Sequence, residues 1–200
     1  MKKSISTIIA SGLFALSCAA GATTITFNSL ESPGPGFTLV PFYQESGYLF
    51  TSSRNDLASA QHDNFNFYMG SAALFANDEH DLITLQRLNG GTFSLLSIDL
   101  APLTRLLGGG APVSFVGNLH GGGTVNATVK IHDGFAFQTY ALNGFTGLDS
   151  VTWHQEYNFH QFDNLRLDQQ DPPAPVPEPG SLALAGLALA ALGLVRRKKQ

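Results

Sequence analysis

Phe93-Ser94-Leu95-Leu96-Ser97-Ile98-Asp99-Leu100 is apolar first at odd and then at even positions, a two-residue period that suits an extended chain and not a helix. The same period recurs on both sides. Thr24 to Asn28 alternates with Ile25 and Phe27 on one face, Phe65, Phe67 and Met69 share a face, and Leu82, Thr84 and Gln86 lie opposite Ile83, Leu85 and Arg87. Further short runs are Pro112 to Leu119, Val125 to Ile131, Phe135 to Tyr140, Val151 to Trp153 and Phe162 to Leu167. Gly90-Gly91, Gly108-Gly109-Gly110, Gly121-Gly122-Gly123 and Asn143-Gly144 punctuate them as turns. Long helical patterns are absent, and only Ala101 to Leu107 reads as a single helical turn. Many short strands with turn signals between them predict an all-β chain, folded as one β-sandwich of jelly-roll type.

The two ends obey a different logic. Lys2 and Lys3 precede an apolar stretch from Ile8 to Ala20, and Ala20-Gly21-Ala22 places small residues where a signal peptidase reads, so cleavage is expected after Ala22. The single cysteine, Cys18, then leaves with the signal peptide, and no disulfide is available to the mature domain. A lipoprotein reading would use Cys18 as the lipidated residue, but the Leu usual three positions before it is missing from Ala15-Leu16-Ser17.

At the other end Pro177-Glu178-Pro179 is followed by an uncharged run from Leu182 to Val195 and by Arg196-Arg197-Lys198-Lys199. As a helix that run covers only ~21 Å, short of the ~30 Å hydrocarbon core. The cations after it resist translocation, so Gln200 is expected to stay in the cytoplasm and everything before Pro177 outside. Motif, short span and basic stop read as a signal that is cut. This tail resembles the PEP-CTERM sorting domain of Gram-negative bacteria that make exopolysaccharide, in which Pro-Glu-Pro is recognised by a membrane-embedded exosortase. The resemblance implies an address and not a ligand, with Pro177, Glu178, Pro179, Arg196 and Arg197 as the sorting motif.

Four segments result: a signal peptide at 1–22, a β-sandwich domain at 23–168, a Pro-rich linker at 169–176, and the sorting signal at 177–200 with its transmembrane helix at about 181–195 and a basic tail at 196–199. The linker runs through Pro172-Pro173-Ala174-Pro175, which favours extended polyproline geometry and acts as a spacer. Six of the eleven Lys and Arg lie in the two targeting ends. The remaining five cations face the fourteen acids before Glu178, a balance of −9. That charge argues against nucleic acid or anionic lipid as partner and suits neutral ligands or cations.

The interior resembles exported cargo of the same kind at Phe93 to Ala101 and at Asn143 to Trp153. The closing Gln161-Phe162-Asp163-Asn164-Leu165-Arg166-Leu167 is similar to the last strand of jelly-roll carbohydrate-binding modules, where an aspartate helps hold a structural calcium. By that resemblance Asp163 is the candidate ligand, with Asn28 or Glu31 near the first strand supplying further oxygens. Asn28 stands where the resemblance expects an acid. No other cofactor is implied. Independently, Ca²⁺ needs 6–8 oxygens, which an acidic domain outside the cell can gather. The alternative is a turn at Asp163-Asn164 before an edge strand.

Asn77-Asp78-Glu79-His80-Asp81 is the densest polar cluster. In an extended chain Asp78 and His80 would converge while Glu79 points away, although an exposed loop explains the cluster without chemistry. His62-Asp63, His80-Asp81 and His132-Asp133 repeat one dipeptide at spacings too irregular for a zinc pattern. Sugars present C–H faces that pack on aromatic rings, which makes Trp153, Tyr157, Tyr43, Tyr48 and Tyr68 candidate platforms. His154 and His160 flank Tyr157 to Phe159. Trp153 alternates with Val151 and reads as inward, so Tyr157 is the better surface residue, with His154 beside it. The fifteen Phe are assigned to the core.

The chain has no Gly-x-Ser-x-Gly elbow and no phosphate loop. The expectation is an exported, non-catalytic protein that crosses the inner membrane, is anchored transiently through its tail, and reaches the cell surface or extracellular matrix. Its partners in export are signal peptidase and exosortase, and its expected ligand is exopolysaccharide. The alternatives are a purely structural surface or biofilm protein and a secreted glycan hydrolase.

Overall fold

The structure is a computed structural model and describes residues 21–106, 110, 112–156 and 158–170. It is all-β, with thirteen strands among the described residues. In chain order they are β1 (Ala22–Ile25), β2 (Phe37–Val40), β3 (Phe42–Glu45), β4 (Tyr48–Ser52), β5 (Leu57–Ala60), β6 (Leu74–Ala76) and β7 (Leu82–Arg87). They continue as β8 (Thr92–Pro102), β9 (Pro112–Leu119), β10 (Thr124–Lys130), β11 (Gln138–Ala141), β12 (Leu148–His154) and β13 (His160–Gln170).

Hydrogen bonding links the strands into one antiparallel path, β2-β5-β6-β13-β8-β12-β7-β4-β3, and between β8 and β12 the link is the single pair Phe93–Leu148. That pair divides the path into two leaves. One is β10-β9-β12-β7-β4-β3; the other is β2-β5-β6-β13-β8-β11, with β1 continuing the edge of β13 beyond β6. Aromatic rings cross between the leaves. Trp153 meets Phe162 at 5.0 Å, Tyr48 meets Phe93 at 5.5 Å, and Phe50 stacks on Phe162 at 6.0 Å. Phe27 packs on both Phe50 and Phe162 from the end of β1. Each of these fully buried side chains contributes on the order of 1.5–3 kcal/mol by leaving water.

The phase change in Phe93 to Leu100 has a structural cause. Phe93 and Leu95 are buried, Leu96 is exposed, and Ile98 and Leu100 are buried again, because the ladder with β13 shifts register between Asp163 and Leu167. The extra residue forms a β-bulge, which moves the inward set from odd to even positions. Asn164, with φ 46°, sits at that bend. A second left-handed residue, Phe27 (φ 52°), turns its ring into the core, while Glu45 accepts hydrogen bonds from the amides of Thr26 and Phe27. Gly117 is needed on β9: a Cβ there would stand 2.8 Å from Leu148 Cδ2 and from Val125 Cγ1.

Three local expectations need correction. The helical turn expected from Ala101 to Leu107 is absent among the described residues: β8 runs through Pro102, and the Leu103 amide then donates to Phe159 O at 2.8 Å. Phe65, Phe67 and Met69 do not form a strand face, because Asn64 O accepts from the amides of both Phe67 and Tyr68 and curls the segment into turns. The domain also does not stop at Asp168, since β13 continues through Gln170 paired with Thr92. Ala22, the expected last residue of the signal peptide, opens β1 opposite Asp168. Ala20, the linker beyond Gln170 and the sorting segment lie outside the described residues. No helix among the described residues is long and apolar enough to cross a membrane.

Candidate functional site

The outer face of the β2-β5-β6 sheet carries a second apolar cluster of Ala58, Phe75 and Leu103, with Phe67 and Phe159 packed against it. It is not closed over. Phe37 and Leu39 alternate with Thr38 on β2, so their side chains share one face; Phe37 is 40% exposed and Leu39 68%. Phe37 meets Phe67 at 4.8 Å and Phe75 at 5.4 Å, both edge to face. With Leu103, Leu106 and Phe159 these rings line an open cleft of ≈ 360 Å³, whose polar lining comes from Asn77 and Thr104.

Two buried glutamines hold its walls. Gln161 Nε2 donates to the carbonyls of Phe67 (2.9 Å), Leu103 (3.1 Å) and Pro102 (3.3 Å), tying both covering loops to β13. Gln155 Oε1 accepts from the Ala76 amide at 3.2 Å, and its Nε2 donates to His160 O at 3.2 Å. At the rim the Arg105 guanidinium lies over the rings of Phe135 (4.1 Å) and Phe65 (4.9 Å), while its Nε donates to Phe65 O at 3.0 Å. Stacked this way, the cation keeps Phe65 raised at 76% exposure. None of the cleft-lining residues is acidic or a histidine.

The residues singled out in the sequence are dispersed around this cleft. Trp153 is 1% exposed between Phe115 and Phe162, so its face is closed to a ligand. Tyr48 and Tyr43 are also buried, and Tyr68 is half-buried with its hydroxyl donated to Glu31 at 2.9 Å. His154 is exposed, its Nδ1 3.1 Å from His80 O. Tyr157 lies outside the described residues.

Asp163 is buried beside the bulge. Its Oδ2 accepts from Ser71 Oγ at 2.6 Å and its Oδ1 from the Asn164 amide at 2.7 Å, and burial raises its pKa to about 6. Glu31 accepts from the adjoining Ala72 amide at 2.8 Å as well as from Tyr68, so Ser71-Ala72 links the two carboxyls. Asn28 is exposed and its carbonyl accepts from the Glu31 amide. Both acids thus hold two protein donors each. Among the described residues no three His, Cys, Asp or Glu side chains are grouped to hold a metal ion.

The Asn77 to Asp81 cluster also divides differently from a strand pattern. Asp78 pairs with Arg54 at 3.2 Å and His80 with Glu79 at 3.1 Å, because His80 takes a left-handed φ of 62°. Asp81 is buried. His62 and His120 likewise pair with acids, Asp63 and Asp149, at the surface.

Composition hid the cleft. Its phenylalanines differ in no sequence property from those of the core, and the only local signal is the Pro-Gly punctuation at Pro33-Gly34-Pro35-Gly36 just before Phe37.

The open, aromatic-lined cleft on the all-β domain is the candidate site. At the end of the chain, residues 175–199 match the PEP-CTERM protein-sorting motif, so the chain carries the signal of an exported, exosortase-sorted protein. No curated protein matches the chain. Among solved structures it is similar to a point mutant of CBM29-2, a family 29 carbohydrate binding module, with TM-score 0.42 and 13% identity over 76% of this chain and 99% of that one. It is also similar to a CBM29-2 mutant complexed with mannohexaose (TM-score 0.44, 15% identity, 74% and 92% covered). A third is TmCBM61 in complex with β-1,4-galactotriose (TM-score 0.39, 12% identity, 62% and 90% covered).

Proposed function

We propose that this protein is an exported, non-catalytic carbohydrate-binding module of jelly-roll sandwich type that holds neutral exopolysaccharide at the surface of a Gram-negative cell. The observation that carries the reading is the solvent-open cleft of Phe37, Phe67, Phe75 and Phe159 with an amide and a hydroxyl, Asn77 and Thr104, among its lining. Pyranose rings stack their C–H faces on such aromatics, and a few polar groups orient their hydroxyls. The acidic balance of the domain repels polyanions and leaves neutral chains as the favoured partner. Tyr157 and His154 are the further sugar contacts that this reading takes from the sequence. The basic tail and its short apolar span anchor the protein transiently in the inner membrane until an exosortase cuts at the Pro-Glu-Pro signature.

The test is binding of the full chain, in mild detergent, to the producing cell's own exopolysaccharide and to neutral β-linked glucans, mannans and galactans. Saturable binding that is lost in Phe37→Ala and Phe159→Ala, and kept in Leu88→Ala on the far loop, supports the reading. A structural surface protein would bind none of them.

A further inference from the structure

The turn from β4 to β5 and the residue before β7 bring two carboxyl groups face to face, apart from Asp163 but next to the cleft lining, since the Asn77 amide donates to Asp56 O at 3.1 Å. Ser52 Oγ donates to Asp56 Oδ1 and accepts from the Asp56 amide, each at 2.9 Å. Across from it, Asp81 Oδ1 accepts from Ser53 Oγ and from the Arg54 amide at 3.2 Å. One oxygen of each carboxyl is therefore held. The other oxygen of each, Oδ2, is buried with no hydrogen-bond partner among the described residues, and Asp81 is 0% exposed. The two carboxyls lie within hydrogen-bonding reach of one another.

Two carboxyls this close, each burying one oxygen, are relieved either by a shared proton or by a cation. Asp78 adds a third negative charge to the field at Asp56. The nearby cation does not answer it, since Arg54 extends to Asp78 at 3.2 Å in an exposed pair. The serine hydroxyls and carboxylates that meet here are hard oxygen ligands, which suit Ca²⁺ better than zinc or copper.

We propose that Asp56 and Asp81 bind a divalent cation of the calcium class through their free oxygens. With two carboxylates, the remaining ligands are carbonyls and water, which sets a weak site of the kind extracellular modules use. The cation would pin the β4–β5 turn to the start of β7. From there the chain is tied to the cleft wall, because the Gln155 amide donates to Asp81 O at 2.9 Å and Gln155 O accepts from the His80 amide at 2.7 Å.

The experiment is calcium binding to the full chain by equilibrium dialysis, with thermal unfolding at neutral pH in calcium chloride or in chelator. A bound calcium and a Tm raised by about 5 °C are expected, both lost in Asp56→Asn and in Asp81→Asn and both kept in Asp163→Asn. Asp56→Asn keeps the Ser52 bond to the remaining carbonyl, so it serves if Asp81→Asn fails to fold. Absence of calcium uptake, or uptake lost in Asp163→Asn and kept in Asp56→Asn, overturns the proposal. So does a calcium-independent Tm that rises on acidification and loses that rise in Asp56→Asn, which would mean that the pair shares a proton instead.

Discussion

Trp153 on β12 and Phe162 on β13 meet edge to face, ring centroids 5.0 Å apart and planes at 85°. This pair joins the two leaves where they have no hydrogen bonds in common. Phe162→Ala is expected to cost ~3–5 kcal/mol, since it removes the ring that Trp153, Phe50 and Phe27 all pack on. Urea unfolding measures the loss. Trp153 is the only tryptophan, so its emission should be blue-shifted in the folded protein and unchanged when a glycan occupies the cleft. Quenching by the ligand would contradict its place in the core.

Two buried groups give stability opposite dependences on pH. Burial lowers the His160 pKa from 6.5 to about 3. Its folded value lies below the unfolded one, so its contribution is complete above pH 6.5 and falls as the pH drops toward 3, by ~1.4 kcal/mol per unit. Burial raises Asp163 from 3.8 to about 6, so its contribution is complete below pH 3.8 and is lost as the pH rises through 6. Urea titrations across this range should show His160→Phe flattening the acid limb and Asp163→Asn flattening the rise-of-pH limb. A variant curve parallel to the wild type at every pH would rule out the assignment.

Gly117→Ala should destabilise the protein by ~1–3 kcal/mol, because the added Cβ meets Leu148 and Val125 at 2.8 Å in a packed interior. The neighbouring exposed Asn126→Ala on β10 is the control, expected within ~0.5 kcal/mol of wild type. Chemical denaturation of the two variants decides it.

Gln161 positions the cleft without lining it. Replacing it with Leu removes the donor shared by the carbonyls of Phe67, Leu103 and Pro102, at a cost of ~1–3 kcal/mol. Glycan affinity should fall in Gln161→Leu even under conditions where the protein remains folded by circular dichroism. Unchanged affinity would separate the ligand surface from this cleft. Phe65→Ser, by contrast, should leave stability within ~0.5 kcal/mol, since the ring is 76% exposed.

Sequence by itself determined the address and the class of fold. The sorting motif is legible because its signature, span and cations are contiguous in the chain, and such a signal needs no folding to be read. The strands were legible wherever one face is buried, as in Leu82 to Arg87, since alternation is the direct imprint of a two-faced sheet. Even the bulge left its mark in the phase change at Leu95-Leu96.

What only the tertiary structure decided is which apolar residues face solvent. Phe27 and Phe50 are enclosed while Phe37 and Phe65 are not, although all four are phenylalanines in short extended or turning segments. Exposure depends on what the opposing leaf or loop supplies, and the partners of Phe37 come from thirty and more residues away. The same holds for Asp56 and Asp81: each reads as a polar loop residue, and their meeting exists only because β4 pairs with β7. Local pattern records the period of a strand, but pairing across the sheet sets where its side chains meet.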